Sequence, residues 1–575
     1  MITLDNKGAG SRGVSWFRQS SIGVAALASC LVFLLLKILL IWRLNVNWDE
    51  FFYLSHVHDL ERGNLTLVLQ AVHTHLFRWL INLGGDEMRE IAAGRLVMTL
   101  LLGVTILLIW KLASQWASPH AAALAALTFT IMVSTLKHGG SFRADSLLTP
   151  LLLGSVLLFS RKQAGIRGDI AAGALVGLAM SVTIKAALAT PVFLALALLD
   201  ERHRECSKAP QPRAAIVRIL LLGLIAGSVT ALLTGAHWLA LTSPPEETAG
   251  GFALRSAQST LLDVGFVPQA GYFKESLAAD ALAWSLIVAG AALAVMQRRV
   301  TPLALGLALV PILIYRNTFP YYYPVMMAPA SVLTAITFDS LGNWVHHRLG
   351  AAANSRILGV VLAVLVAVGL IHVAQLWRNE QQAQREVVAA VHQIFPDPFA
   401  YIDHSGMIAS FPKANFFMSG WGLQRYRQAG IAFMPRALDE RHPAFVLSNR
   451  PVLEPGHPAF NLLLPEDREL IEQTYIPYWG PIRVAGAQAV IPDGGDVELR
   501  VPFPGKYRLE STEPVLIEGK ARSGADVFDL DGTKVRISRS TGMAGTGPLK
   551  VRLILAGARP PPDALPPTAV LYTGL

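Results

Sequence analysis

The chain has 575 residues, 53% of them hydrophobic and only 15% charged, with a formal net charge of +9 and a mean hydropathy of +0.43. Soluble domains carry about 25% charged residues, so this composition excludes an ordinary soluble enzyme and points to an integral membrane protein. No basic stripe accompanies the positive charge, which argues against a nucleic-acid partner and leaves membrane topology as its explanation.

Residues 1–20, MITLDNKGAGSRGVSWFRQS, are polar and basic and read as a cytoplasmic tail. The run that follows, SIGVAALASCLVFLLLKILLIW, is long enough to cross a hydrocarbon core of about 30 Å. It ends without a small-residue cleavage site and so reads as a retained first helix rather than a signal peptide. Further apolar runs lie at about 92–112, 119–136, 144–160, 168–184, 186–199, 214–238, 279–297, 300–316, 320–340 and 355–377, which makes about eleven expected spans. The stretch 168–199 must turn near Lys185, and Pro311 and Pro320 interrupt 300–340.

With the N-terminus inside, the basic residues sort by side. Lys7, Arg12, Arg18, Arg161, Lys162, Arg167, Arg202, Arg204, Lys208, Arg213, Arg298, Arg299 and Arg348 fall on inner segments, as the positive-inside bias requires. The loops 43–91 and 239–278 and everything after residue 378 then face outward, which in a bacterium is the periplasm. Cys30 and Cys206 are the only cysteines, so the C-terminal region holds no disulfide.

Ionisable groups near membrane depth usually mark function, and here they gather on the outer face. NVNWDEFFYLSH, residues 45–56, places Asp49 and Glu50 directly after the first span, and Lys37 lies near that span's outer end. His138, Arg143 and Asp145 stand in KHGGSFRADSLLTP, Lys185 at the turn of 168–199, and Arg316, Tyr321 and Tyr322 in YRNTFPYYYP. Each has a plainer reading. Lys37 can snorkel to the interface, the arginines can anchor helix ends, the tyrosines can belong to an aromatic belt, and the acidic pair can cap a helix in a hydrated loop. Their convergence on one face argues for a site. A sugar carried on an isoprenoid phosphate needs cations for its phosphate and one carboxylate to take the acceptor's proton, help worth about 10²–10⁴ in rate.

His56 and His58 in HVHD, with His73 and His75 in HTH, are the weak candidates for a metal site. Alternating histidines on a helix point to different faces, so no metal or other cofactor is expected to be required, and a divalent ion is the lesser reading.

After the last span, QLWRNEQQAQREVVAAVHQIF reads as an amphipathic helix opening a small α/β module, residues 379–480. Residues 481–575 carry short alternating runs (DVELRVPFPGKYRLES, PVLIEGKA, TKVRISRS, PLKVRLILAG) that predict a β-sandwich. FPGKYRLES resembles hairpins of carbohydrate-associated sandwiches, although such a hairpin usually only builds structure. With no nucleophile triad, phosphate loop or cysteine–zinc pattern, this region is expected to cap the outer cavity or guide the acceptor.

Four segments in order resemble one family. WDEFFYLS, SFRADSLLTPLLLGSVLLF, GALVGLAMSVTIKAALATP and RNTFPYYYPVMMAPA are similar to motifs of GT-C membrane glycosyltransferases, those related to protein O-mannosyltransferases and the lipid A aminoarabinose transferase. The resemblance covers about residues 20 to 340. It implies inverting transfer of a sugar from a polyprenyl-phosphate donor at the outer face. It also implies Asp49 as base, Glu50 orienting the site, Arg143 and Asp145 in the donor pocket, and Lys185 and Arg316 facing the phosphate. Several members have Arg-Tyr after the acidic pair where this chain has Phe51-Phe52-Tyr53, which leaves the sugar open. Metal-binding relatives use an Asp-x-Asp that the second outer loop lacks.

The expected protein is an α-helical polytopic membrane enzyme of GT-C type, residues 21–378, with a periplasmic α/β plus β-sandwich region, in the bacterial inner membrane. The expected acceptor is a periplasmic glycolipid such as lipid A or lipopolysaccharide core. A protein acceptor is the first alternative and a non-catalytic flippase of lipid-linked sugars the second. A transporter would carry midplane polar residues and inverted repeats, and neither is visible.

Overall fold

The structure is a computed structural model that describes residues 9–66, 71–161, 165–199, 212–242, 258, 265–378, 380–493, 495–540, 548–568 and 571–572. Lys7, Lys162, the basic loop with Arg202, Arg204, Cys206 and Lys208, and most of the loop 239–278 lie outside the described residues.

Backbone in hydrocarbon must satisfy its own hydrogen bonds, and the apolar runs accordingly form helices. These are α1 (Ala9–Leu40), α2 (Trp48–Glu61), α3 (Ala71–Leu76), α4 (Glu87–Ala113), α5 (Pro119–Ile131), α6 (Val133–His138), α7 (Ala144–Ser160), α8 (Gly165–Val182), α9 (Thr190–Leu198) and α10 (Pro212–Ala240). Later helices span Ala270–Ala279, Ala281–Met296, Tyr323–Ala330 and Val332–Leu376. Among the described residues, five helices are long and apolar enough to cross a membrane, or six if the pair bent by 93° at Asp280 is one span.

The eleven expected spans are therefore not all continuous helices, and the breaks have local causes. The run 119–136 divides at Met132, which is extended (φ −58°, ψ 140°). Asp280 caps the new helix by accepting from the Val133 amide at 2.7 Å and the Ser134 hydroxyl at 3.2 Å. The stretch 168–199 leaves its helix after Val182, passes through a 3₁₀ turn at Ile184–Ala189 and resumes at Thr190. Residues 303–314 form three short turns around Pro311. Conversely, Val332–Leu376 is two helices joined at a kink. Gly350 has φ 87° and ψ 171° inside it, a conformation only glycine adopts at no steric cost. A Cβ on Gly342 would stand 3.5 Å from the Asn354 side chain, whereas a straight helix would separate those residues by about 18 Å, so the chain doubles back at Gly350.

Small residues let the bundle close. A Cβ on Gly177 of α8 would meet the Ala226 carbonyl of α10 at 2.7 Å, and Gly173 one turn earlier is equally tight, the close approach that a G-x-x-x-G pair permits. A buried ion pair, Arg218 to Asp169 at 2.9 Å, ties the same two helices.

The C-terminal region begins with the helix Gln382–Ile394, whose apolar face (Val387, Val388, Val391, Ile394) is buried. A seven-stranded sheet runs β1-β2-β4-β11-β6-β9, with β3 also on β4. Its strands are β1 (Tyr401–Ile402), β2 (Phe445–Leu447), β3 (Tyr475–Trp479), β4 (Ile482–Ile491), β6 (Gly505–Ser511), β9 (Val527–Leu530) and β11 (Leu549–Leu555). A second sheet, β5-β10-β7-β8, consists of β5 (Asp496–Arg500), β7 (Val515–Ile517), β8 (Lys520–Arg522) and β10 (Lys534–Arg539). The two sheets share a core of Leu499, Val515, Ile517, Val535 and Ile537 with Tyr507, Leu509, Val551 and Leu553. The expected boundary at 480 is not a physical break. The ten-residue β4 pairs with β2 and β3 through Ile482–Ala485 and with β11 through Gly486–Ile491, so one strand serves both halves.

A single apolar core joins this region to one end of the bundle. Phe51, Leu54 and Val57 of α2 and Met88 and Ile91 of α4 pack with Val387, Tyr401, Met407, Phe445, Val484 and Tyr572.

Candidate active site

The stretch that follows α1 is built around a helix start. Asn47 caps α2: its side chain accepts from the Asp49 amide at 2.9 Å, and Glu50 reaches back to the Asn47 amide at 3.1 Å, a reciprocal capping box. Both carboxylates thus lie in the first turn, where the helix dipole favours negative charge.

Beyond that shared start their environments part. Glu50 is buried and takes a bidentate grip from Arg95 of α4 at 2.7 and 2.8 Å, and it accepts from the Phe142 amide at 2.8 Å. Burial works against its charge, yet Arg95 and the amides of Phe142 and Asn47 hold its carboxyl below the usual range. Both oxygens are engaged, so Glu50 is a brace that pins α2, α4 and the loop before α7. Arg95 also donates to the carbonyls of Ile41, Leu44 and Asn45, clamping the link between α1 and α2.

Asp49 instead faces open space. It pairs with Nη1 of Arg143, which also donates to Asn47 Oδ1 at 3.3 Å. Arg143 Nη2 approaches Asp145 Oδ2 at 3.4 Å, and Lys185 Nζ donates to Asp145 Oδ1 at 2.8 Å. The Arg143 guanidinium lies 3.4 Å over the Tyr321 ring, and the Lys185 ammonium lies 5.2 and 5.4 Å from the rings of Tyr321 and Tyr322. Residues from four separate segments therefore form one chain of contacts, Asp49–Arg143–Asp145–Lys185, backed by two tyrosines.

Asp49 and Tyr321 also line a cleft of about 690 Å³ between the bundle and the C-terminal region. Its other walls include Trp48, Arg316, His404, Phe417, Trp421 and Arg450. Arg316 stacks on Trp421 at 3.8 Å and Arg450 on Trp48 at 4.7 Å. Burial pulls the His404 imidazole down to about 3, so it is neutral near pH 7. Tyr322 faces the other way, into an apolar groove lined by Leu152, Leu188, Val192, Met326 and Pro329.

Other candidate residues lie outside this chain. Lys37 is buried and donates to the Lys137 carbonyl at 3.2 Å. His138 is buried, and its Nε2 has no partner among the described residues. The four loop histidines disperse. His58 bonds Glu90 and His75 bonds His237, each at 2.8 Å. His56 packs on Phe52, and His73 lies among Tyr53, Phe77 and Phe142. Burial lowers His56 to about 4 and His73 to about 3. Among the described residues no group of three or more His, Cys, Asp or Glu could hold a metal ion.

Sequence reasoning overlooked Arg95, although a charge inside the apolar run 92–112 was a visible signal of the kind that drew attention to Lys37. It also overlooked Trp421, His404 and Arg450, which reach the cleft only through tertiary packing.

The model of the dolichyl-phosphate-mannose-protein mannosyltransferase family matches residues 72–227. Among curated proteins no sequence is similar enough to match. Solved structures share the fold. ArnT from Cupriavidus metallidurans, bound to undecaprenyl phosphate, is 13% identical with a TM-score of 0.50, covering 70% of this chain and 88% of its own. The Archaeoglobus fulgidus oligosaccharyltransferase in the apo form is 11% identical with a TM-score of 0.54, covering 93% and 76%. Archaeal AglB from the same organism, in complex with an inhibitory peptide and a dolichol-phosphate, is 11% identical at 0.53, covering 91% and 75%. Residues 72–227 are thus similar to the dolichyl-phosphate-mannose-protein mannosyltransferase family, and the chain shares the fold of these membrane proteins.

Proposed function

We propose that this protein is an inverting glycosyltransferase of the bacterial inner membrane, with its N-terminus cytoplasmic and its C-terminal region periplasmic. It moves a sugar from a polyprenyl-phosphate donor to a periplasmic glycolipid such as lipid A or lipopolysaccharide core. The observation that carries the reading is the contact chain Asp49–Arg143–Asp145–Lys185, with the carboxylate end in the cleft and the cationic end beside Tyr322 and the apolar groove.

In this reading the isoprenoid tail lies along the groove and the phosphate meets Lys185 and Arg143. The anomeric carbon then faces Asp49. An acceptor hydroxyl attacks that carbon from the side opposite the phosphate, and its proton passes to Asp49 as the new bond forms. The old carbon–oxygen bond breaks, the electron pair leaves on the polyprenyl phosphate, and the cations hold the departing anion. A phosphate leaving group needs no separate acid, and the scheme calls for no cofactor. Glu50 acts through geometry alone.

A protein acceptor is the second reading, favoured by the fold shared with the oligosaccharyltransferase over 93% of this chain, C-terminal region included. Mass spectrometry of envelope glycolipids from a deletion strain, its parent, and the deletion strain carrying Asp49→Asn tests the first reading. A glycolipid lost on deletion, restored by the native gene and not by the variant, is the expected result. Unchanged glycolipids with altered envelope glycoproteins would favour the second.

A further inference from the structure

Charge accounting divides the site into two parts. Arg143 and Lys185 are matched by Asp49 and Asp145, two cations against two anions. The cleft has two more cations, Arg316 and Arg450. Neither makes an ion pair or a side-chain hydrogen bond among the described residues. Nearby acceptors are used otherwise: Asn317 Oδ1 takes the Trp421 indole N–H at 3.2 Å, and the Arg316 carbonyl takes Gln269 Nε2 at 2.8 Å.

Both guanidinium groups are half-buried and stacked on tryptophan, at 3.8 and 4.7 Å. Stacking restrains a guanidinium's plane and leaves its in-plane N–H fork to bind a carboxylate or phosphate with two parallel bonds. An uncompensated half-buried cation is costly unless a ligand supplies the opposite charge. Trp48, which carries Arg450, immediately precedes Asp49, so this positive charge borders the carboxylate.

We propose that Arg316 and Arg450 form an anion-recognition subsite at the acceptor end of the cleft, selecting acceptors that bear a phosphate or carboxylate group. The proposal rests on the glycosyl-transfer reading and names the charge class of its acceptor. A donor phosphate is the other source of the same chemistry, and position favours the acceptor. Lys185 shares Tyr322 with the apolar groove, whereas Arg316 stacks on Trp421 of the C-terminal region and Arg450 belongs to that region.

The test uses the full chain in nanodiscs, titrated separately with glucose 1-phosphate, methyl glucoside and farnesyl phosphate. The native protein should bind the sugar phosphate at least tenfold more tightly than the uncharged glucoside. Arg450→Gln and Arg316→Gln should each erase most of that difference, Arg450→Lys should restore it only in part, and farnesyl phosphate affinity should stay within twofold, which also certifies folding. Loss of farnesyl phosphate binding in the arginine variants with sugar phosphate binding intact would reassign the subsite to the donor and overturn the proposal. Equal sugar phosphate binding by native and variant chains would overturn it as well. Failure of the native chain to bind farnesyl phosphate would instead sink the donor reading beneath it.

Discussion

Asp49 and Glu50 are consecutive residues whose carboxylates serve opposite sides of one helical turn. Glu50 is locked by Arg95 beneath α2, while Asp49 meets Arg143 at the edge of the cleft. Adjacent helical positions differ by about 100° around the axis, so two neighbouring acids can be given separate tasks. One holds the scaffold and the other lines the cleft.

Asp49→Asn keeps shape and most hydrogen bonding but removes the carboxylate proposed as the base. Transfer should fall at least about 100-fold with expression and melting temperature near native. Glu50→Gln should do the reverse in kind. It leaves Arg95 uncompensated in a buried site, a loss of about 3–5 kcal/mol, so the variant should melt earlier or accumulate poorly. Thermal melts beside transfer rates separate the two, and a stable, active Glu50→Gln protein would remove the bracing role.

Lys185→Gln should weaken polyprenyl-phosphate binding about 10- to 100-fold, the worth of one hydrogen bond to a charged group. Titration of farnesyl phosphate into the purified protein measures it. Donor affinity equal to native would detach Lys185 from the phosphate.

His56 and His73 are buried and neutral, held at about 4 and about 3. The unfolded chain takes up protons near pH 6.5 where the folded one does not, so stability should fall as pH drops below 6.5, by up to about 1.4 kcal/mol per unit for each group. His73→Phe should flatten the melting temperature between pH 6.5 and 4. The His392–Glu87 pair, 2.9 Å apart, acts oppositely through its histidine. Burial opposes charge on His392, but Glu87 raises it overall, so that contribution is complete below pH 6.5 and is lost as pH rises through the raised value. A flat native profile that His73→Phe leaves unchanged would contradict both assignments.

The reversal at Gly350 and the proposed orientation together predict accessibility. A cysteine replacing His347 should react with a membrane-impermeant thiol reagent only from the cytoplasmic side, and one replacing Arg441 only from the periplasmic side. Labelling of both from one side would reverse part of the topology.

Much of the site was legible because its chemistry stands out against an apolar background. Asp49, Arg143, Asp145, Lys185, Tyr321 and Tyr322 are conspicuous where charges and phenols are costly, and the structure brings them into contact. Arg316 was equally visible, but its stacking on Trp421 was not, since no local pattern links a turn at 316 to a helix starting at Gly420. The break at Met132 was hidden too, whereas the one at Thr183 falls beside the turn expected near Lys185, although what holds it in place was not legible. Each depends on a partner that satisfies the freed amides (Asp280 in one case, the Thr183 side chain in the other), and periodicity carries no record of such partners. The sandwich strands were readable from alternation, but β4's double pairing follows from its length and tertiary position.

Gln384 grips the entry to α2 on both sides, accepting from the Val46 amide and donating to its carbonyl, each at 2.8 Å, and it donates to the Leu571 carbonyl at 2.7 Å. Tyr572 then lays its ring edge-on against Trp48 and Phe51. The start of α2 therefore completes its contacts only when segments more than 330 and 500 residues further along the chain have folded onto it.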